Sequence, residues 1–244
     1  MRKILTGILA ANLFCASFAY AGLIEGLEQK ARKLTSSNKY QTNGKLDSKT
    51  MIAGLKEALS VGIKNGVQNV SRRDGYFENA LIKILVPEKI QKITEVLRKA
   101  GLHEEVDAFE LSMNRAAEKA APKARGIIVA AIKKMTIRDA ETILRGHDTA
   151  ATEYLKSKTF DSIYSAFKPV ITSTMHETDV TRSFKELMDK ARAIPLLKEQ
   201  TVDLDHYVTS KALDGLFIMV GEEEKKIRKD PAARVTKLLK KVFE

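Results

Sequence analysis

From Ser48 to Val70 the apolar positions Ile52, Leu55, Leu59, Ile63, Val67 and Val70 recur at steps of three and four, the repeat of a helix with one buried face. On the same stretch Gly54, Ala58, Gly62 and Gly66 fall four apart, a smooth ridge that lets a second helix approach closely and so offsets the low helix propensity of glycine. SRRDGYFEN then has the composition of a turn. ALIKILVP is predicted to be an extended approach, because the residue before a proline is biased away from helix. Pro87 suits the start of a helix with Ile90, Ile93, Leu97 and Ala100 on one face and Gly101 as its stop. His103 to Ala121 continues with Val106, Phe109, Met113, Ala117 and Ala120 inward, and Pro122 starts or kinks a further segment running through Ile128, Ile132 and Met135.

Thr136 and Asp139 have capping-box spacing, Gly146 ends that short helix, and Asp148 is expected to cap the next. Phe160, Ile163, Tyr164 and Phe167 belong to a helix that Pro169 is expected to interrupt. Helical spacing resumes at Val180, Phe184, Leu187, Met188 and Ala191, and Pro195 closes that piece. A long helix starting near Asp203 or Asp205 sets Val208, Ala212, Gly215, Leu216, Met219, Val220 and Ile227 along one stripe. Beyond Val220, Glu222–Lys226 and Glu224–Arg228 have the four-residue spacing of helical ion pairs, so the charge block is expected to be the solvated end of a core helix. Asp230 and Pro231 then predict a terminal helix with Val235, Leu238, Leu239, Val242 and Phe243 inward and Lys237, Lys240 and Lys241 outward. Convincing strand alternation is absent, which predicts an all-α, bundle-like single domain over residues 48–244, after an arm or linker over 22–47 rich in turn formers.

The first 21 residues change the compartment. Arg2 and Lys3 precede an apolar run ending in Ala19-Tyr20-Ala21, the pattern of a secretory signal peptide cleaved after Ala21, and the run is too short to span a bilayer. Cleavage removes Cys15, the one cysteine of the chain, and with it disulfide, thiolate-metal and cysteine-nucleophile chemistry. It also removes Arg2 and Lys3 but no acid, so the formal charge passes from +11 to +9. A basic exported protein in the periplasm, or secreted, meets anionic lipid headgroups and acidic envelope polymers. Nucleic acid is disfavoured as a partner, since tryptophan is lacking and no aromatics interleave with Lys and Arg.

Candidate chemistry is sparse. His103, His147, His176 and His206 are far apart and form no His-Glu-x-x-His pattern, so neither a metal nor a cofactor is expected. There is no Gly-x-Ser-x-Gly elbow, Walker loop or dinucleotide fingerprint. Glu110, Asn114 and Glu118 share one helical stripe, with Arg115 and Lys119 beside it; the two carboxylates are the weak candidates for acid–base work, with His176 or His206 brought in by folding, against the plainer alternative of a polar face or buried ion-pair network. Arg115, Lys119, Lys237, Lys240 and Lys241 are the candidate contacts to a ligand or anionic surface, and DPAARVTKLLKKVFE has the make-up of either a docked terminal helix or a membrane-surface one.

GLKEALSVGI, VPEKIQKI, LSMNRAAEKAAP, DTAATEYL and, above all, YVTSKALDGLFIMVGEEEKKIRKDPAAR together resemble the bacterial family known as domain of unknown function 4197. The resemblance implies an exported, mostly helical protein and carries no reaction, ligand or catalytic residue; Arg145-Gly146-His147 departs from the apolar and glycine-rich residues usual before DTAATEYL. The reading is therefore a non-catalytic binding module for a lipid, an apolar peptide or an anionic envelope polymer, with Met113, Met135, Met188 and Met219 placed along a ligand groove. The alternative is a hydrolase built on Glu110, Glu118 and a histidine.

Overall fold

The amphipathic repeats become eight helices in the computed structural model, which describes residues 48–177, 179–192 and 202–230. They are α1 (Ser48–Ser71), α2 (Glu88–Lys99), α3 (His103–Ala120), α4 (Pro122–Lys134), α5 (Ile137–Arg145), α6 (Ala150–Glu177), α7 (Asp179–Arg192) and α8 (Leu204–Lys229). No strand occurs among the described residues, so the fold is all-α. The expected signal peptide, the arm over 22–47 and the terminal helix after Pro231 lie outside the described residues.

The two longest helices form the centre. α8 packs against α1 and α6, α6 packs in addition against α3 and α4, and α1 lies on α4. The small-residue ridge of α1 meets α8: a Cβ added at Gly66 would sit 3.3 Å from Val220 Cγ2, and one at Gly62 3.5 Å from Ile227 Cδ1. Met113, Phe109, Leu155, Ile163, Phe167, Val208 and Leu216 fill the interior between these helices. Phe184 of α7 stacks on Phe109 with ring centroids 3.7 Å apart.

Several helix ends follow the local chemistry. Gly101 takes φ +89, and the amides of Gly101 and Leu102 bond to the carbonyls of Arg98 and Leu97, a Schellman closure of α2. At α5 Thr136 Oγ1 accepts from the Asp139 amide while Asp139 accepts from the Thr136 amide, the reciprocal capping box.

Three expectations are corrected. Pro169 lies inside α6 rather than breaking it: it is on the exposed face of the helix, as is Ser165, whose carbonyl its missing N–H would have bonded, while Phe167 and Ile171 on either side of it are buried. Asp148 is ion-paired to Lys229, and the first amides of α6 are satisfied by Glu224 instead. The charge block is only partly solvated. Glu223 and Glu224 are buried, and the ion pairs run Glu222–Lys225, Glu223–Lys226 and Glu224–Arg228, so the expected Glu222–Lys226 pair is replaced by two three-residue steps.

Candidate functional site

The polar stripe of α3 is a seam that fixes the non-helical segment between α1 and α2. Asn114 is completely buried; its Oδ1 accepts from the Ile84 amide and its Nδ2 donates to the Ile84 carbonyl, both at 2.8 Å, as a neighbouring strand would. Glu118 accepts from the amides of Tyr76 and Phe77 at 3.1 and 3.4 Å, and Glu110 holds Lys83 at 2.9 Å. Arg115 bridges Glu118 and Asp74 at 2.7 and 2.6 Å. Burial acts to lower the Arg115 pKa, but the bonds to Glu118 and Asp74 outweigh it and hold it above the ordinary value. Tyr76 is fully buried, its hydroxyl donating to the Ala212 carbonyl at 2.6 Å; burial first, and the Glu118 charge second, drive its pKa far up.

The other candidates sit elsewhere. Lys119 reaches Glu177 across α3 and α6 at 3.4 Å, and both are exposed. His176 Nε2 lies 3.8 Å from Asp205, which also accepts from Thr172, and His206 Nδ1 is 2.7 Å from the Tyr164 hydroxyl. Glu118 thus engages backbone amides and Arg115, Glu110 engages Lys83, and the two histidines lie beside Asp205 and Tyr164; no hydrogen bond or ion pair among the described residues joins the two sets. Lys237, Lys240 and Lys241 lie outside the described residues. Among the described residues no three His, Cys, Asp or Glu side chains are arranged to hold a metal ion, and no helix is long and apolar enough to cross a membrane.

A clamp that sequence reasoning missed joins three helix ends. Glu224, 6% exposed, accepts from the amides of Ala151 and Thr152 and from Thr152 Oγ1 at 3.0, 2.8 and 2.8 Å, and pairs with Arg228 Nε at 3.0 Å. Arg228 Nη2 then donates to the Ile143 carbonyl at the end of α5. The carboxylate meets the positive end of α6 and the guanidinium meets the negative end of α5. The signal was present: Val220, Glu224 and Ile227 are spaced i, i+4, i+7, so the periodicity that buries the two aliphatics also buries Glu224.

Two open spaces bear on ligand binding. Between α1, α6 and α8, beside Leu55, Gly62, Val220 and Arg228, the cavity measures about 20 Å³, room for a water but not for an acyl chain. A cleft of about 600 Å³ lies between the start of α2 and the N-terminal half of α8, with Pro87, Lys89, His206, Tyr207, Ser210 and Lys211 on its walls. Tyr207 is held there by donating to the Leu85 carbonyl at 3.0 Å; burial first, then the charges of Glu88 and Glu110, raise its pKa.

Residues 45–244 match the model of a family described as a protein of unknown function, DUF4197. The chain belongs to the DUF4197 family. The match spans every described helix of this DUF4197 protein, including the α3 seam, the Glu224 clamp and the cleft. No curated protein and no solved structure matches the chain.

Proposed function

We propose that this DUF4197 protein is exported and works as a non-catalytic binding module for an anionic, amphiphilic component of the cell envelope. The observation that carries this reading is where apolar groups are offered. Met113 and Met135 pack in the core, and the cavity between α1, α6 and α8 is of water size, whereas Leu81, Leu85 and Ile218 are exposed at 67%, 53% and 44%. The outer surface, rather than a groove through the bundle, is the place for an amphiphile. The leader pattern of residues 1–21 supports export, and the net charge of +9 after its removal supports an anionic partner. The engagement of Glu110 and Glu118 by amides and cations supports binding over the hydrolase alternative, because both carboxylates already serve the seam.

Flotation with vesicles of phosphatidylglycerol and phosphatidylcholine tests the proposal. Binding is expected to weaken as salt rises, since exposed charges are screened over about 10 Å at 0.1 M ionic strength. Changing Lys237, Lys240 and Lys241 together to Gln is expected to reduce flotation at unchanged helix content, because Gln is nearly as good a helix former as Lys. Equal flotation with neutral and anionic vesicles, or none with either, overturns the reading.

A further inference from the structure

We infer that the outward face of α4 is the surface by which the protein lies on an anionic lipid bilayer; this deepens, and rests on, the envelope-binding reading above. α4 carries Lys123, Arg125, Lys133 and Lys134 and no acid in its 13 residues, and all four are exposed. None of the four forms an ion pair among the described residues, whereas Lys225, Lys226, Arg228 and Lys229 at the end of α8 each have a carboxylate partner. The charge at that end of α8 is matched within the protein; that of α4 projects its field into solvent. The flanking segments do not cancel it. Residues 122–145 hold six basic residues against two acids, Asp139 and Glu141, both on α5, and α1 alongside holds Lys49, Lys56 and Lys64 against Glu57.

Helix geometry puts the cations on one side. Ala124, Ile128 and Ile132 are buried and α4 packs on α1 and α6, so the opposite face points to solvent. There Arg125, Val129 and Lys133 form one row at four-residue steps, and Gly126, Ala130 and Lys134 form the row beside it, with Lys123 at their N-terminal end. Lys123 and Lys134 stand roughly three turns, about 16 Å, apart. Lys56 of α1 joins the C-terminal end, its ammonium donating to the Lys133 carbonyl at 3.0 Å. The negative end of the helix accounts for Lys56, Lys133 and Lys134, but not for Lys123 and Arg125 at the other end. Between the cations the face is small and apolar: Gly126 and Ala130 are exposed, Val129 is half-buried, and just past α4 Ile137 is 55% exposed. A polyanionic polymer requires only the charge. Basic residues framing apolar ones, with an exposed isoleucine beside them, suit the boundary between headgroups and acyl chains of a bilayer.

The test is flotation of the purified protein with vesicles of phosphatidylglycerol and phosphatidylcholine, together with a fluorescent reporter. Lys123→Gln/Lys133→Gln/Lys134→Gln removes three exposed, unpaired charges and keeps helix propensity, so melting is unchanged. Its affinity for the anionic vesicles is expected to fall about fivefold per cation, about a hundredfold in all. Lys92→Gln/Lys99→Gln/Lys185→Gln takes the same charge from exposed positions of α2 and α7 and is expected to keep most of the affinity. Because the chain has no tryptophan, Ala130→Trp places a single reporter on the face, and its emission is expected to shift to the blue on anionic vesicles. Full flotation of the α4 variant, equal losses in the two triple variants, or an unshifted emission from floated protein overturns the inference. Should flotation persist in the α4 variant but vanish in the Lys237, Lys240 and Lys241 variant, α4 fails while the envelope reading stands. If the unaltered protein floats with neither kind of vesicle, that reading fails and the inference with it. Binding to soluble dextran sulfate that is lost in the α4 variant, without flotation, assigns the face to a polyanionic polymer and overturns the bilayer as its partner.

Discussion

Replacing Glu224 with alanine removes one acceptor for three hydrogens: the amides of Ala151 and Thr152 and the Thr152 hydroxyl. It also takes the carboxylate from Arg228, in a pair whose side chains are only 6% and 12% exposed. Losing a helix cap costs about 1 kcal/mol, and removing one partner of a buried pair costs about 3–5 kcal/mol because the other charge stays desolvated. Both effects act through the same oxygens and do not add in full, so Glu224→Ala is expected to lose about 3–5 kcal/mol. Glu224→Gln keeps the shape and one acceptor oxygen but no charge, and is expected to lose about 1–3 kcal/mol. Urea unfolding reads both as a lower midpoint at unchanged slope, and hydrogen exchange at Ala151 and Thr152 should speed up in step. The control is Glu222→Ala, next to the clamp but partly exposed, which is expected to stay within about 0.5 kcal/mol. A Glu224→Ala loss as small as that of Glu222→Ala would refute the burial argument.

Gly215 has a side-chain-sized gap on no side: a Cβ there would lie 2.7 Å from Tyr76 Cε1 and 3.0 Å from Ile82 Cβ, so Gly215→Ala is expected to cost about 1–3 kcal/mol by overpacking. Gly126, exposed inside α4 with nothing within 4 Å of an added Cβ, should instead gain about 0.5–1 kcal/mol on Gly126→Ala, and thermal melting compares the two signs. Asn114→Leu leaves the buried amide and carbonyl of Ile84 unpaired, at about 1–3 kcal/mol for each group, and protection of the Ile84 amide against exchange should collapse with the melting temperature. The hydroxyl and amide of Thr136 hold the Asp139 carboxyl below its ordinary range. Its contribution is therefore present above the unfolded pKa of about 3.9 and lost as pH falls through the lower folded value, so the gap between the protein and Asp139→Asn should close on acidification; a gap constant with pH contradicts the capping box.

How much of this was legible follows from the range of each interaction. Helix identities came from spacing, because a 3.6-residue period needs only neighbours along the chain: Leu55, Leu59 and Ile63 of α1 and Ile90, Ile93 and Leu97 of α2 are buried as their positions predict. The Thr136–Asp139 box and the Gly101 stop were equally local, each formed within a few residues of itself. Pro169 was misjudged because the cost of a missing N–H depends on whether the orphaned carbonyl faces water, and only the packed helix determines that.

The site is where local reading stopped. The residue types of the seam were visible as Glu110, Asn114, Arg115 and Glu118 on one stretch of α3, but their partners, Asp74, Tyr76, Lys83 and Ile84, lie some thirty to forty residues upstream. The cleft is assembled from two segments more than a hundred residues apart, Pro87 to Lys89 and Asp203 to Asp214. Sequence by itself determined the all-α class, most helix ends, the basic charge and the leader pattern, since each is set by composition or by contacts within one or two turns. Tertiary structure alone decided that Glu224 is a buried cap rather than a solvated acid, that the carboxylates of α3 hold a strap, and which lysines share a cleft. Those outcomes depend on which surfaces lose water when separate helices meet, and the energy of a charge is decided by that loss.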